Sequence, residues 1–160
     1  MTAARQPAKW LPLLMLLTFG VGISPERLSA EPAVIVNATT GLAISGFDPV
    51  AYFTDDKATL GKPDLELDVQ GAVWRFRNDG NRAAFRLQPD AYRPRFGGYD
   101  PVAIARDRAV AGHPLFWAIT GERLYLFYSA ENRAAFVAGP GRILAVAERK
   151  WPHVERTIAR

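Results

Sequence analysis

The pentapeptide Asn-Arg-Ala-Ala-Phe occurs twice, at Asn81–Phe85 and Asn132–Phe136, and the likeness runs beyond those five residues. At an offset of 51, WRFRNDGNRAAFRLQP (Trp74–Pro89) lies over YLFYSAENRAAFVAGP (Tyr125–Pro140), with an aromatic-x-Phe triplet at the start and proline at the end. Upstream, at an offset of 52, GFDPVA (Gly46–Ala51) lies over GYDPVA (Gly98–Ala103). Two copies of one sequence carry two copies of the same local preferences, so an internal repeat fixes architecture before any single motif does. The chain is expected to be one supersecondary unit made twice.

The first thirty residues read as a secretory signal. Arg5 and Lys9 give a positive start, Leu11–Ile23 an apolar run, and Leu28-Ser29-Ala30 a small-residue exit. That run is short of the roughly twenty residues a membrane span needs, and Pro12, Gly20 and Gly22 interrupt it. An uncleaved anchor is the alternative, and the membrane is expected only through this segment. Residues 1–30 hold Arg5, Lys9 and Arg27 against Glu26, so without them the formal charge falls from +4 to +2. Residues 31–160 suit one compact core and are too few for two independent ones. There is no cysteine, so neither disulfides nor thiolate metal sites contribute.

Each half has the same punctuation. Asp48-Pro49 and Asp100-Pro101 pair a favoured N-cap residue with proline at the first helical position, so each opens a helical turn. Leu65–Val69 alternates apolar and acidic, and Gly71 leads into Val73–Arg77, a hairpin with one wet face. In the second half, Phe116–Thr120, Gly121-Glu122 and Arg123–Tyr128 repeat it with Leu126 and Tyr128 where the first has Arg75 and Arg77. That strand is expected to be covered on both faces. Asn78 and Ser129 are N-caps for helices near Asp79–Leu87 and Ala130–Ala138, each stopped by proline. Ile143, Leu144, Ala147, Trp151, Val154 and Ile158 share a helical face, predicting a C-terminal helix over 141–159, bent or restarted at Pro152, that covers Leu126 and Tyr128. Val34–Val36 is a short apolar patch of edge-strand character. The predicted fold is α+β: two β-hairpin–helix halves, 41–95 and 96–140, in one compact domain closed by the C-terminal helix.

The Asp-Pro-Val-Ala turns, the aromatic-x-Phe triplets, Asn-Arg-Ala-Ala-Phe, the following proline and Tyr92 resemble the YHS-domain family. Gly46–Phe53 and Gly97-Gly98-Tyr99-Asp100 are similar to stretches of its exported, bacterial-envelope members, and the resemblance covers most of residues 41–140. It implies a tandem YHS-like repeat in the periplasm of a Gram-negative cell. Members with cysteines are implied to bind or sense heavy metals. Carried over residue by residue, the cysteine after Asp-Pro-Val falls on Ala51 and Ala103, and the paired helix cysteines on Arg77 with Asn81 and Tyr128 with Asn132. The cysteine after Gly-Gly-Tyr falls on Asp100. Alanine, arginine and asparagine do not replace soft thiolates, so the family's metal site is expected to be lost.

What chemistry remains is sparse. A zinc or copper(II) site of Asp48, Asp100 and His113 is the metal-binding alternative; against it, both aspartates serve as caps and His113 sits in a loop before Pro114. No catalytic constellation is visible: the only serines after residue 30 are Ser45 and Ser129, without a nucleophile motif, and the paired acids (Asp55-Asp56, Glu66 with Asp68) read as solvated. No phosphate-cradling glycine loop is present. Residues 75–95 carry six arginines against Asp79 and Asp90, with Arg75 and Arg77 on one strand face and Arg82 and Arg86 on one helix face. That segment is either a solvated basic face or a seat for an anionic partner, and a charge of +2 is modest for nucleic acid. Tyr52 and Tyr99, beside the two turns, are candidates to line a cleft between the halves. The expectation is an exported, non-enzymatic protein without cofactor, with a binding or accessory role toward an envelope partner or small anionic ligand. Arg75, Arg77, Tyr52 and Tyr99 are its candidate contacts.

Overall fold

The computed structural model describes residues 34–36 and 39–158; the expected signal segment lies outside them. The chain runs through helix α1 (Ala51–Thr54), strands β1 (Lys62–Val69) and β2 (Ala72–Phe76), helices α2 (Asp79–Leu87), α3 (Pro89–Tyr92) and α4 (Pro101–Ile104), strands β3 (His113–Thr120) and β4 (Arg123–Phe127), and helices α5 (Ala130–Val137) and α6 (Pro140–Ile158). The result is an α+β domain of two hairpin–helix halves and a C-terminal helix. Among the described residues no helix is long and apolar enough to cross a membrane.

The duplication is physical. Each half begins in a tight left-handed turn, Ile44–Gly46 (φ 40°, 55° and 78°) and Phe96–Gly98 (φ 55°, 60° and 90°). L-residues resist this conformation, by about 1–2 kcal/mol each. Glycine takes the final position in both copies and also the middle one in the second, where the first has Ser45. Each turn is held down at the same place: Gly61 N–H donates to the Gly46 carbonyl and Gly112 N–H to the Gly98 carbonyl, both at 2.9 Å.

Each helix then lays a phenylalanine on its hairpin. Phe85 packs on Trp74 and Phe76 with ring centroids 4.8 and 5.3 Å apart, and Phe136 on Tyr125 and Phe127 at 5.2 and 5.0 Å. Asn78 and Ser129 cap these helices as expected, accepting from the backbone N–H of Asn81 and Asn132. The prolines that stop α2 and α5 also start α3 and α6, since proline suits a first helical turn. That is why α3 exists at all and why α6 begins at Pro140 rather than 141. Pro152 stays inside α6 without ending it.

The halves differ at one cross-strand pair. Arg75 stands opposite Glu66 in the first hairpin, and Leu126 stands opposite Trp117 at the equivalent register in the second. An ion pair keeps one face wet; an apolar pair needs a cover. Leu124 and Leu126 accordingly enter the core of the first half beside Val50, Tyr52, Trp74 and Phe85. Tyr125 and Phe127 face the other way into a second core with Phe96, Ile104, Phe136, Ala147 and Val154. Strand β4 thus belongs to both cores, buried on both faces as predicted.

The cover is not the predicted one. Helix α6 packs over Tyr125 and Phe127, through Ala147 and Val154, while the first half covers Leu126 and Tyr128 is 62% exposed. The alternation of β4 decides this, because α5 and α6 both lie on the Phe127 side. Val34–Val36 likewise forms no strand: it makes a single antiparallel bridge, Val36 to Ala43, and Ile35 N–H donates to the Gly97 carbonyl at 2.9 Å.

Candidate functional site

In each half one buried aspartate ties the opening turn to the strand end and the helix. Asp48 and Asp100 are both wholly buried. Asp48 Oδ1 accepts from Val50 N at 2.8 Å, while Oδ2 accepts from Arg77 N at 2.9 Å and Asn81 Nδ2 at 2.7 Å. Asp100 repeats this: Oδ1 accepts from Val102 N at 2.7 Å, and Oδ2 from Tyr128 N at 2.9 Å and Asn132 Nδ2 at 2.6 Å. A weaker contact from Ala51 N or Ala103 N completes each set. A carboxylate removed from water needs such donors on both oxygens, and here the chain supplies them from three separate segments.

The repeated asparagine therefore has a defined job. It is the helix's side of the clamp, and it explains why Asn-Arg-Ala-Ala-Phe recurs together with Asp-Pro-Val-Ala. Both oxygens of both aspartates are committed inward. His113 lies elsewhere in function: it is exposed at the start of β3, its Nδ1 accepts from Leu115 N at 3.2 Å, and its ring rests on Phe116. Among the described residues no group of three His, Asp or Glu side chains is placed to share a metal ion. Ser45 sits in the left-handed turn and Ser129 caps α5.

The arginine segment is largely matched by acids. Arg75 Nε meets Glu66 at 2.8 Å, Arg77 pairs with Asp55, and Arg82 meets Asp79 at 2.7 Å. Arg93 reaches Gln70 at 2.8 Å. Tyr52 is buried at the junction of the halves, its hydroxyl donating to the Pro114 carbonyl at 3.0 Å and its ring set edge-on to Trp117. Burial, with the negative charge of Asp48 adding to it, pushes the Tyr52 phenol well up. Tyr99 instead packs against Trp151 of α6, and burial raises its phenol too. The two tyrosines are thus on different contacts. A cavity of about 150 Å³ does lie between the halves, and its walls include Leu42, Ile44, Gly98, Gly112 and Leu126 rather than either tyrosine.

Outside the clamps the copies diverge. In the first half Arg77, next to the clamp, closes on Asp55 from the turn after α1. In the second half Tyr128 occupies the place of Arg77, and in the turn after α4 Asp107 keeps the acid of Asp55 while Arg106 and Arg108 stand where the first half has Thr54 and Asp56. Both arginine N–H groups donate to the Ala103 carbonyl, and Asp107 between them takes φ 58°, so the turn is tightly wound. A pocket of about 180 Å³ opens there, with Ala103, Arg106, Arg108, Tyr128, Ser129 and Asn132 in its walls. Arg106 and Arg108 were not singled out from sequence. The signal was available, however: comparing the copies shows Arg106 and Arg108 where the first turn has Thr54 and Asp56, coupled to Tyr128 in place of Arg77 on the strand.

Together the fold and clamps define the class: an α+β domain made of a duplicated hairpin–helix unit, each copy locked by a buried aspartate bonded to a helix asparagine. No family model, curated protein or solved structure matches the chain.

Proposed function

We propose that the chain is an exported, cysteine-free YHS-like protein of the Gram-negative envelope, with a non-enzymatic binding or accessory role toward an anionic group. The observation that carries this reading is the use of Asp48 and Asp100: each carboxylate accepts from backbone and asparagine donors on both oxygens, leaving the scaffold's central acids as fold-locking groups. The positions on which the resemblance places thiolates in the second half, Ala103, Tyr128 and Asn132, line one pocket, which is compatible with a family scaffold whose metal chemistry has been replaced. Arginines supply the remaining polar chemistry at the surface.

Titration of the purified chain with zinc and copper(II), alongside chromatography on an anionic matrix, tests this. Retention that weakens with added salt is expected, since exposed charges are screened within about 8 Å at physiological ionic strength. Stoichiometric metal uptake with a thermal shift would replace the proposal by the Asp/His metal-binding alternative, and salt-insensitive behaviour would remove the anionic partner.

A further inference from the structure

Resting on that reading, we infer that the pocket beside the second clamp is the binding site and that it takes a single phosphoryl-type oxyanion. Two arginines stand at its mouth, and among the described residues no carboxylate pairs with either. The nearby acids are accounted for. Asp100 lies behind Asn132 with both oxygens accepting, Asp107 pairs with Lys150, and the Glu131 carboxyl is held below its usual range by hydrogen bonding to Ser129 and the backbone.

The comparison within the chain sharpens this. The first half shows such a junction satisfied from within: Arg77 folds onto Asp55. In the second half the acid at the place of Asp55, Asp107, is taken by Lys150, Arg106 and Arg108 flank it, and the strand arginine is Tyr128, so two guanidinium-bearing side chains line the pocket without a paired carboxylate among the described residues. Guanidinium forks match the tetrahedral oxygens of a phosphoryl group in bidentate fashion, and the Tyr128 hydroxyl adds a donor. Size limits the occupant. Drug-sized ligands need roughly 300 Å³ or more, so a pocket of about 180 Å³ fits one anionic headgroup.

The phosphoryl group has two possible sources, a free phosphate or monoester and a phospholipid headgroup. Calorimetry and phosphorus NMR with inorganic phosphate and methyl phosphate address the first; co-sedimentation with phosphatidylcholine vesicles containing phosphatidic acid addresses the second. The variants are Arg106→Ala/Arg108→Ala and, as a control removing equal charge, Lys57→Ala/Lys62→Ala. Both pairs lie on the surface, and circular dichroism verifies folding. Losing two charge-assisted contacts is expected to weaken binding by roughly tenfold or more, against less than about twofold for the control. Loss in the first variant alone supports the site, in whichever arm binding is seen. Binding that survives in Arg106→Ala/Arg108→Ala, or falls equally in both variants, overturns the site while leaving an anion-binding protein. No binding of either probe overturns the site and the anionic partner together.

Discussion

Asn81 Nδ2 donates to Asp48 Oδ2 across 2.7 Å, joining the first turn of helix α2 to the turn that opens the first half, and Asn132 makes the same bond to Asp100 at 2.6 Å. Replacing Asp48 by asparagine turns one acceptor oxygen into a donor amide facing Arg77 N–H or the Asn81 amide. Asp48→Asn is therefore expected to cost about 2–4 kcal/mol, and Asn81→Ala less, about 1–3 kcal/mol, because it removes one bond without setting donor against donor. Chemical denaturation of both variants, and of Asp100→Asn, checks the order; equal and small losses would show that the clamp is ornamental.

Leu126 and Arg75 occupy one register position in the two hairpins, one buried at 1% exposure and the other paired with Glu66 at the surface. Leu126→Arg makes the second copy like the first and buries a charge with no partner. A loss of about 3–5 kcal/mol is expected, visible as a large fall in Tm. The reverse change, Arg75→Leu, forfeits only an exposed ion pair worth under about 1 kcal/mol.

The Tyr52 hydroxyl bond to Pro114 is a polar tie between the halves, and it gives stability a defined pH dependence. Its phenol is raised from 10.0 in the fold, so the unfolded chain releases that proton first as pH increases. Stability from Tyr52 is accordingly complete below about pH 10 and declines as pH climbs from there toward the folded value. Tyr99 and Tyr125, also raised, add to the same alkaline limb. Tyr52→Phe is expected to lose about 1 kcal/mol near neutrality and to show a shallower alkaline decline in denaturation midpoints.

Gly112 abuts β4 so closely that a Cβ would lie 2.5 Å from that of Leu126 and 2.7 Å from the Gly98 carbonyl oxygen; Gly61 faces Arg75 in the same way. Overpacking of this kind costs about 1–3 kcal/mol, so Gly61→Ala and Gly112→Ala should each destabilise. Gly121→Ala is no neutral control despite its open surroundings, since φ 56° strains any side chain there.

Much of this was legible in the residues. Asn78 and Ser129 marked the starts of α2 and α5, and Trp74, Phe76 and their counterparts marked the inward face, because capping and strand alternation act over a few residues. The clamp was legible only in halves. Both aspartates read as caps; Asp100 caps α4, while Asp48 lies ahead of α1, whose N-cap is Val50, with Oδ1 accepting from Val50 N and Ala51 N. The second oxygen of Asp48 reaches Arg77 and Asn81 some thirty positions away, a distance over which local preference carries no information. The arginine segment was legible only in part for the same reason: composition reveals six charges, and only folding brings Asp55 to Arg77 and Glu66 to Arg75.

By itself, then, the sequence determined that there are two copies of one hairpin–helix unit, where each begins, and which side chains face inward. Those are consequences of short-range sterics and periodicity. The tertiary structure alone decided that β4 serves two cores, that the first half rather than α6 covers Leu126, and that one clamp is sealed by Arg77 while the other opens onto Arg106 and Arg108. These outcomes depend on which surfaces meet once both units have formed, where exclusion of water and matching of charge are settled between residues far apart in the chain.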